Sequence, residues 1–417
     1  MKKYLAIAII AAILILPHIF SLTQDYLEIE WFYVQPAIEL AKHGINADLS
    51  WHFATATSPI LTSIILSGSY VLFGESPLVS RLTILVIGSL FALFLYFYLK
   101  RKEGVMLGFL ATLFVVVNPL FILYAQFVCT DVPYMAFSSA AMLLLLYAGT
   151  QRENVLSSVM TGLALATKYV TIVLFPVITI KSFLTAKAKA IKFNAWYYAI
   201  VLVLSLPVIL IAYRFLNGYA PLTRPQWFIP DLALLVPRFF AYLIWLGLFL
   251  GLFSIIMLLD LWQRLSRGKL MAIIAGCIVL TAIVTYFYPI PSLHRLDGSF
   301  GEMNLAGAEN IVPERLLSPI LFVVLLMAEL IIISMAMEAR KSRTTKDITL
   351  ACWALLPVLF MSLTRGANRY MLTVLVPLSI YMAMVTKRFF ESHPRTATAI
   401  VAAHSLLFVV VGAYAYR

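Results

Sequence analysis

Long apolar runs separated by short polar breaks fill almost the whole chain. The runs fall at about residues 4–22, 78–99, 105–124, 132–149, 155–167, 170–186, 194–213, 238–261, 270–289, 316–338, 347–364, 369–386 and 397–415. Most have the length of about 17–25 residues that carries a helix across a bilayer core. No water reaches backbone N–H and C=O groups there, so unbroken runs of this kind are helices. A membrane barrel would instead show short alternating segments. The pattern predicts an all-α integral membrane protein.

One further run, 59–74, is short and interrupted by Ser63, Ser67, Gly68 and Ser69. Whether it crosses fixes the side of everything after it. If it does not, and the N-terminus is cytoplasmic, 20 of the 31 Lys and Arg residues face the cytoplasm. They include Lys2 and Lys3, Lys100–Lys102, Lys187, Lys189, Lys192, Arg264, Arg267, Lys269, Arg340, Lys341, Lys387 and Arg388. If it crosses, 18 of those 20 move outside. Basic residues collect on the cytoplasmic side of membrane proteins. The expectation is therefore thirteen spans, an interfacial or re-entrant 59–74, and an outer C-terminus. The loops at 23–77, 124–132, 217–237 and 290–315 then face outside, and with them 12 of the 19 acids.

Composition agrees. The chain is 62% hydrophobic and 12% charged, against about 45–50% and 25% in soluble proteins. A net charge of +12 would suit nucleic acid, but the basic residues sit in short clusters between apolar runs. That is the topogenic pattern, and no nucleic-acid partner is expected. Cys129, Cys277 and Cys352 lie in or beside apolar runs and form neither a disulfide framework nor a zinc spacing. Met1-Lys2-Lys3 opens like a signal peptide, but bulky Leu16-Pro17-His18-Ile19-Phe20 stands where small residues would permit cleavage. A retained first span is expected.

Charged residues at span ends carry the candidate chemistry. Asp25, Glu28 and Glu30 lie at the mouth of the first span, followed by Trp31, Phe32 and Tyr33. One reading is a solvated interfacial helix with an aromatic belt. The other is a carboxylate serving as general base or metal ligand. Asp131, before Val132-Pro133, suits a helix N-terminus and can also face a cleft. Lys168 lies between two short apolar runs, where an ammonium either snorkels or meets an anionic head group. Arg365 and Arg369 flank a short outer turn ending at Tyr370, and can take phosphate or contact lipid. Arg81 is a weaker candidate of the same kind. Glu329 lies deep in its run, where a partner inside the bundle is expected.

The order of these features resembles the polyprenyl-phosphate-sugar-dependent glycosyltransferases of the GT-C fold. That group includes protein O-mannosyltransferases and the bacterial lipid A aminoarabinose transferases. The resemblance rests on Glu30-Trp31-Phe32-Tyr33 after the first span, then Ala37 and Gly44. Next come Ser58-Pro59-Ile60-Leu61 through Leu72-Phe73-Gly74, Ser80-Arg81-Leu82, Asp131, Thr167-Lys168, and Arg369-Tyr370 with Pro377. It is good over 1–215 and loose beyond. Where members have Asp-Glu, this chain has Ile29-Glu30, so Glu30, Glu28 or Asp25 must stand in for the missing Asp.

The resemblance implies a GT-C-type bundle of about thirteen transmembrane helices, with interfacial helices in the first outer loop. Residues 1–215 would form the catalytic module, and 216–417 a variable C-terminal membrane module with no soluble domain. It implies a sugar moved from a polyprenyl-phosphate donor, with inversion, to a protein, lipid or glycan acceptor on the extracytoplasmic face of a cell membrane. Glu30, Asp25, Glu28 and Asp131 are the catalytic candidates. Lys168, Arg81, Tyr33, Arg365, Arg369 and Tyr370 would bind substrate. Asp131 and Glu30 could hold a divalent cation, Mg or Mn. Two other readings stay open: a flippase or transporter of lipid-linked sugars, and an assembly subunit whose acids only solvate loops. A transporter would line a central path with charges.

Overall fold

The apolar runs fold as helices. The computed structural model describes residues 3–18, 22, 24–50, 59–215, 235–287, 314–363 and 371–414, and no strand occurs among them. Two compact units divide the chain, one of residues 1–225 and 411–417, the other of 226–410.

The first unit opens with α1 (Lys3–Ile15), α2 (Glu28–His43) and α3 (Leu61–Phe73). At 13 residues and 1.5 Å per residue, α3 is about 20 Å long, short of the ~30 Å hydrocarbon core. It packs along α2, where the Ser63 hydroxyl donates to the Tyr33 carbonyl over 3.0 Å. Helix α4 (Pro77–Glu103) is 27 residues long. Ser76 caps its first turn by accepting from the Val79 N–H, and Pro77 suits the first helical position. It stops at Gly104, whose φ of +98° reverses the chain at once into α5 (Val105–Val116). That reversal presses Gly108 of α5 on the end of α4. A Cβ there would lie 2.8 Å from both the Lys100 nitrogen and the Tyr96 carbonyl oxygen. Gly108→Val should therefore destabilise the unit by about 1–3 kcal/mol, read as a lower thermal midpoint in detergent. Gly68→Ala in α3, with nothing within 4 Å of the new Cβ, should leave the midpoint no lower and raise it slightly, since Ala favours the helix over Gly.

The run at 105–124 is one span by length, yet it breaks. Helix α6 (Pro119–Tyr124) leaves α5 at a 60° bend. Pro119 supplies no N–H to continue α5, and the Asn118 side chain accepts from Leu120 N–H to start the new turn. Non-helical chain then leads to α7 (Asp131–Leu146). A Thr150–Glu153 capping box opens α8 (Gln151–Thr167). A 3-10 turn (Tyr169–Leu174), α9 (Phe175–Ala186) and α10 (Ala190–Phe215) follow. The Tyr197 hydroxyl of α10 meets Ser157 at 2.8 Å and Thr161 at 2.7 Å on α8, so buried polar groups join the two helices.

Helices α4 and α8 meet at one end, and this orients the unit. Lys102, in the last turn of α4, reaches Glu153 in the first turn of α8 at 2.7 Å. Lys100 and Arg101 stand beside it in sequence, as Arg152 does beside Glu153. The opposite ends carry Arg81, near the start of α4, and Lys168, just after α8.

The second unit contains α11 (Leu235–Leu250), α12 (Phe253–Arg264), α13 (Arg267–Phe287), α14 (Glu314–Ser342), α15 (Thr345–Leu363), α16 (Leu372–Ser392) and most of α17 (Pro394–Tyr414). Asp260, Arg264, Glu338 and Arg388 form a four-member ion cluster joining α12, α14 and α16. Glu329 of α14 meets its expected partner inside the unit: its Oε2 accepts from the Thr281 hydroxyl of α13 at 3.1 Å.

Among the described residues, seven helices are long and apolar enough to cross a membrane, or nine if each bent pair is one span. Thirteen were expected. The break after α5 shows one reason the numbers differ, because apolar length does not reveal a bend. The expected spans at 4–22 and 132–149 appear as the shorter apolar helices Leu5–His18 and Asp131–Leu146.

Candidate active site

Two buried ion pairs lie at the end of the first unit away from Lys100–Lys102. The first joins α2 to α4. Glu30 and Arg81 are both 0% exposed, and their charged groups meet at 2.8 Å. Glu30 enters α2 in its first turn, where free N–H groups favour an acid. Its Oε2 accepts from Leu27 N–H at 2.7 Å as well as from Arg81 Nη2. Its Oε1 accepts from Arg81 Nε at 3.2 Å and from Val128 N–H at 2.8 Å. Four donors thus surround one carboxylate. A base needs an oxygen that can reach the acceptor, and both oxygens of Glu30 are occupied and enclosed.

Arg81 does more than neutralise Glu30. Its Nη1 donates to the Gln24 carbonyl at 2.7 Å, and Nη2 to the Asp25 carbonyl at 2.9 Å. The guanidinium therefore clamps the main chain of 24–25 to the head of α4, while the Asp25 residue remains exposed. Hydroxyls reinforce the clamp. Ser80 contacts Tyr26 at 2.6 Å and Tyr70 at 2.7 Å. Burial raises the Tyr70 phenol well above its ordinary value, so its hydroxyl stays neutral across the physiological range.

The second pair joins α7 to the end of α8. The Lys168 ammonium meets the Asp131 carboxylate at 2.5 Å, with side chains 6% and 1% exposed. Asp131 sits in the first turn of α7, where the helix dipole favours its negative charge. Lys168 follows α8 in extended conformation, with φ −157° and ψ 126°, before the 3-10 turn begins.

Val128 connects the pairs. Its N–H holds Glu30, and Asp131 lies three residues on, at most about 11 Å of chain even fully extended. Asp25, Glu30, Arg81, Asp131 and Lys168 thus share one end of one unit. Tyr33 is buried at 7% exposure against α3. Glu28 lies in the first residue of α2. Arg365, Arg369 and Tyr370 lie outside the described residues. A metal held by Asp131 and Glu30 does not fit: each carboxylate already faces a protein cation. Among the described residues no group of three or more His, Cys, Asp or Glu side chains could hold an ion.

The Val128 amide had no mark in the sequence, since it carries no side-chain signature. Arg81 and Glu30 were each marked as candidates, but their mutual contact, which spans 51 positions, was not.

The fold that carries these pairs has counterparts among known proteins. Residues 57–213 match the family described as dolichyl-phosphate-mannose-protein mannosyltransferase, which covers less than half of the chain. The chain also superposes on ArnT from Cupriavidus metallidurans bound to undecaprenyl phosphate, with a TM-score of 0.57 and 14% identity, over 92% of this chain. The match to the archaeal oligosaccharyltransferase AglB from Archaeoglobus fulgidus, in complex with an inhibitory peptide and a dolichol-phosphate, has a TM-score of 0.57 and 15% identity over 99% of this chain. The chain has the GT-C fold. It spans 60% of the length of that ArnT and 55% of that AglB. No curated protein sequence matches it. In a GT-C protein with this layout, the family match begins just before α3 and runs through α10, so it contains Arg81, Asp131 and Lys168 but not Asp25 or Glu30.

Proposed function

We propose that this GT-C protein is a membrane glycosyltransferase. It moves a sugar from a polyprenyl phosphate of undecaprenyl or dolichyl type to an extracytoplasmic protein, lipid or glycan acceptor. The observation that carries this reading is the buried Asp131–Lys168 pair, connected through Val128 to the Glu30–Arg81 clamp beneath exposed Asp25. An exposed acid and a buried cation thus stand at one end of the unit, and transfer from a phosphate uses both a base and a cation. The named neighbours agree, since they are an ArnT bound to undecaprenyl phosphate and an oligosaccharyltransferase bound to a dolichol-phosphate. Because α4 and α8 carry the basic cluster at one end and the site at the other, the positive-inside bias supports a site on the outer face. It equally supports a cytoplasmic N-terminus.

In this mechanism an acceptor oxygen attacks the anomeric carbon from the face opposite the lipid phosphate. The new C–O bond forms, the bond from carbon to phosphate oxygen breaks, and its electron pair leaves with the polyprenyl phosphate. The configuration inverts. Asp25 takes the acceptor proton. Glu30 and Arg81 position Asp25 by holding its main chain. Lys168, its ammonium held in place by Asp131, offsets the charge growing on the departing phosphate. The first 215 residues form the catalytic module.

Turnover in proteoliposomes tests the base. Asp25→Asn should lower kcat by about 10²–10⁴-fold while bare undecaprenyl phosphate binds as before. Glu28→Gln should change kcat by less than about 3-fold, since a spectator acid contributes no proton-transfer catalysis. Asp25→Asn at the wild-type rate would remove Asp25 from the mechanism. A transporter would instead move labelled sugar lipid across the bilayer and make no glycosidic bond. That result would sink the enzyme reading.

A further inference from the structure

The two ion pairs are separated by Ala125–Thr130, non-helical chain inside a helical unit. Ala125, Gln126, Val128, Cys129 and Thr130 are each at most 3% exposed. Irregular backbone at such depth persists where protein encloses it or where it lines a polar cavity. Gln126 is 1% exposed, and neither its Nε2 nor its Oε1 has a hydrogen-bond partner among the described residues. The Thr130 hydroxyl, on a residue 0% exposed, has none there either. Thr130 stands at the N-cap of α7, but its side chain does not cap the helix.

Three polar atoms within five residues are therefore enclosed and unmet. A buried donor or acceptor in that condition loses its hydration with nothing in return. Native structures nearly always supply a partner, from protein, water or something bound. Leucine would fill a similar volume at position 126 without that cost. The position of the stretch narrows what the partner is. Two residues after Gln126, Val128 holds the carboxylate that anchors the acid side of the proposed reaction. Directly after Thr130, Asp131 holds the phosphate-side lysine. Acceptor and phosphate flank the transferred group, so the sugar belongs between them.

We propose that Gln126 and Thr130 hold ring hydroxyls of the sugar being transferred and determine which sugar is used. This assignment rests on the glycosyltransferase reading. A glutamine amide presents a donor and an acceptor side by side, which suits two neighbouring hydroxyls. Sugars of one size differ mainly in where those hydroxyls point. A site of this kind rejects an analogue strongly, because a missing hydroxyl leaves the buried amide unpaired.

The test uses the full chain in proteoliposomes. Undecaprenyl and dolichyl phosphates carrying glucose, galactose, mannose or an aminopentose identify the preferred donor. Wild type, Gln126→Leu and Thr130→Val are then compared on that donor and on analogues each lacking one hydroxyl. Gln126→Leu should lower kcat/KM by about 10–100-fold. One deoxy donor should cost the wild type a similar factor and the variant almost nothing. Binding of bare undecaprenyl phosphate should stay within about 2-fold, far below the tenfold that 1.4 kcal/mol would give. If Gln126→Leu does not fold, Gln126→Met, of similar volume and without the amide, is read the same way. Equal losses in wild type and variants on every deoxy donor would mean that the amide meets only water, and would overturn the assignment. A wild-type chain that transfers from none of the donors defeats the enzyme reading, and this one with it.

Discussion

Lys168→Met is expected to abolish sugar transfer, with kcat falling by about 10²–10³-fold or more, the usual effect of removing a group aimed at developing charge. The substitution has a second consequence that must be separated from the first. It leaves Asp131, with a side chain 1% exposed, facing no ammonium. Removing one partner of a buried pair costs about 3–5 kcal/mol. Lost activity alone would therefore not distinguish a catalytic lysine from a structural one. The double variant Asp131→Asn with Lys168→Met removes both charges and should recover most of the thermal midpoint. Its transfer rate should stay at the level of the single variant, because the phosphate still departs without a cation beside it. A double variant that folds and transfers at the wild-type rate would show that the pair only holds α7 to α8.

Much of this site was legible in the chain because burying a charge is costly. Lys168 and Asp131 were conspicuous as charges among apolar residues, and the structure pairs them. Their mutual contact was not legible, since it depends on α7 and α8 folding back on each other. The interfacial reading of 59–74 rested on counting basic residues and on its short, interrupted run, and its helix has 13 residues. Glu30 shows the opposite case. As one of three acids at a span mouth it looked available for chemistry, and nothing local distinguished it from Asp25. Only the approach of α4 and of the 125–130 stretch encloses it. The break at Asn118-Pro119 was written in the sequence as a turn dipeptide, but the apolar residues on both sides concealed it.

Arg81→Met should cost about 3–5 kcal/mol of stability, because it strands the carboxylate of Glu30 at 0% exposure. Arg81→Lys should recover only part of that. An ammonium is a point charge, and it cannot reach two carboxylate oxygens and two main-chain carbonyls as the planar fork does. The informative variant removes both charges. Glu30→Met with Arg81→Met replaces a buried pair by apolar groups of similar volume, an exchange that is often neutral or stabilising. Its midpoint should return toward wild type, although Val128 and Leu27 N–H lose their acceptor. Its transfer rate should not return. Gln24 and Asp25 then have no guanidinium on their carbonyls, so the exposed acid loses its fixed position. Misplacing a catalytic group by about 1 Å can cost about 10²-fold. The loss should fall on kcat, with bare undecaprenyl phosphate bound as in wild type, because Lys168 is untouched. If the double variant is both stable and fully active, Arg81 and Glu30 stabilise the fold only. Asp25 must then owe its position to the Tyr26–Ser80–Tyr70 hydroxyls instead.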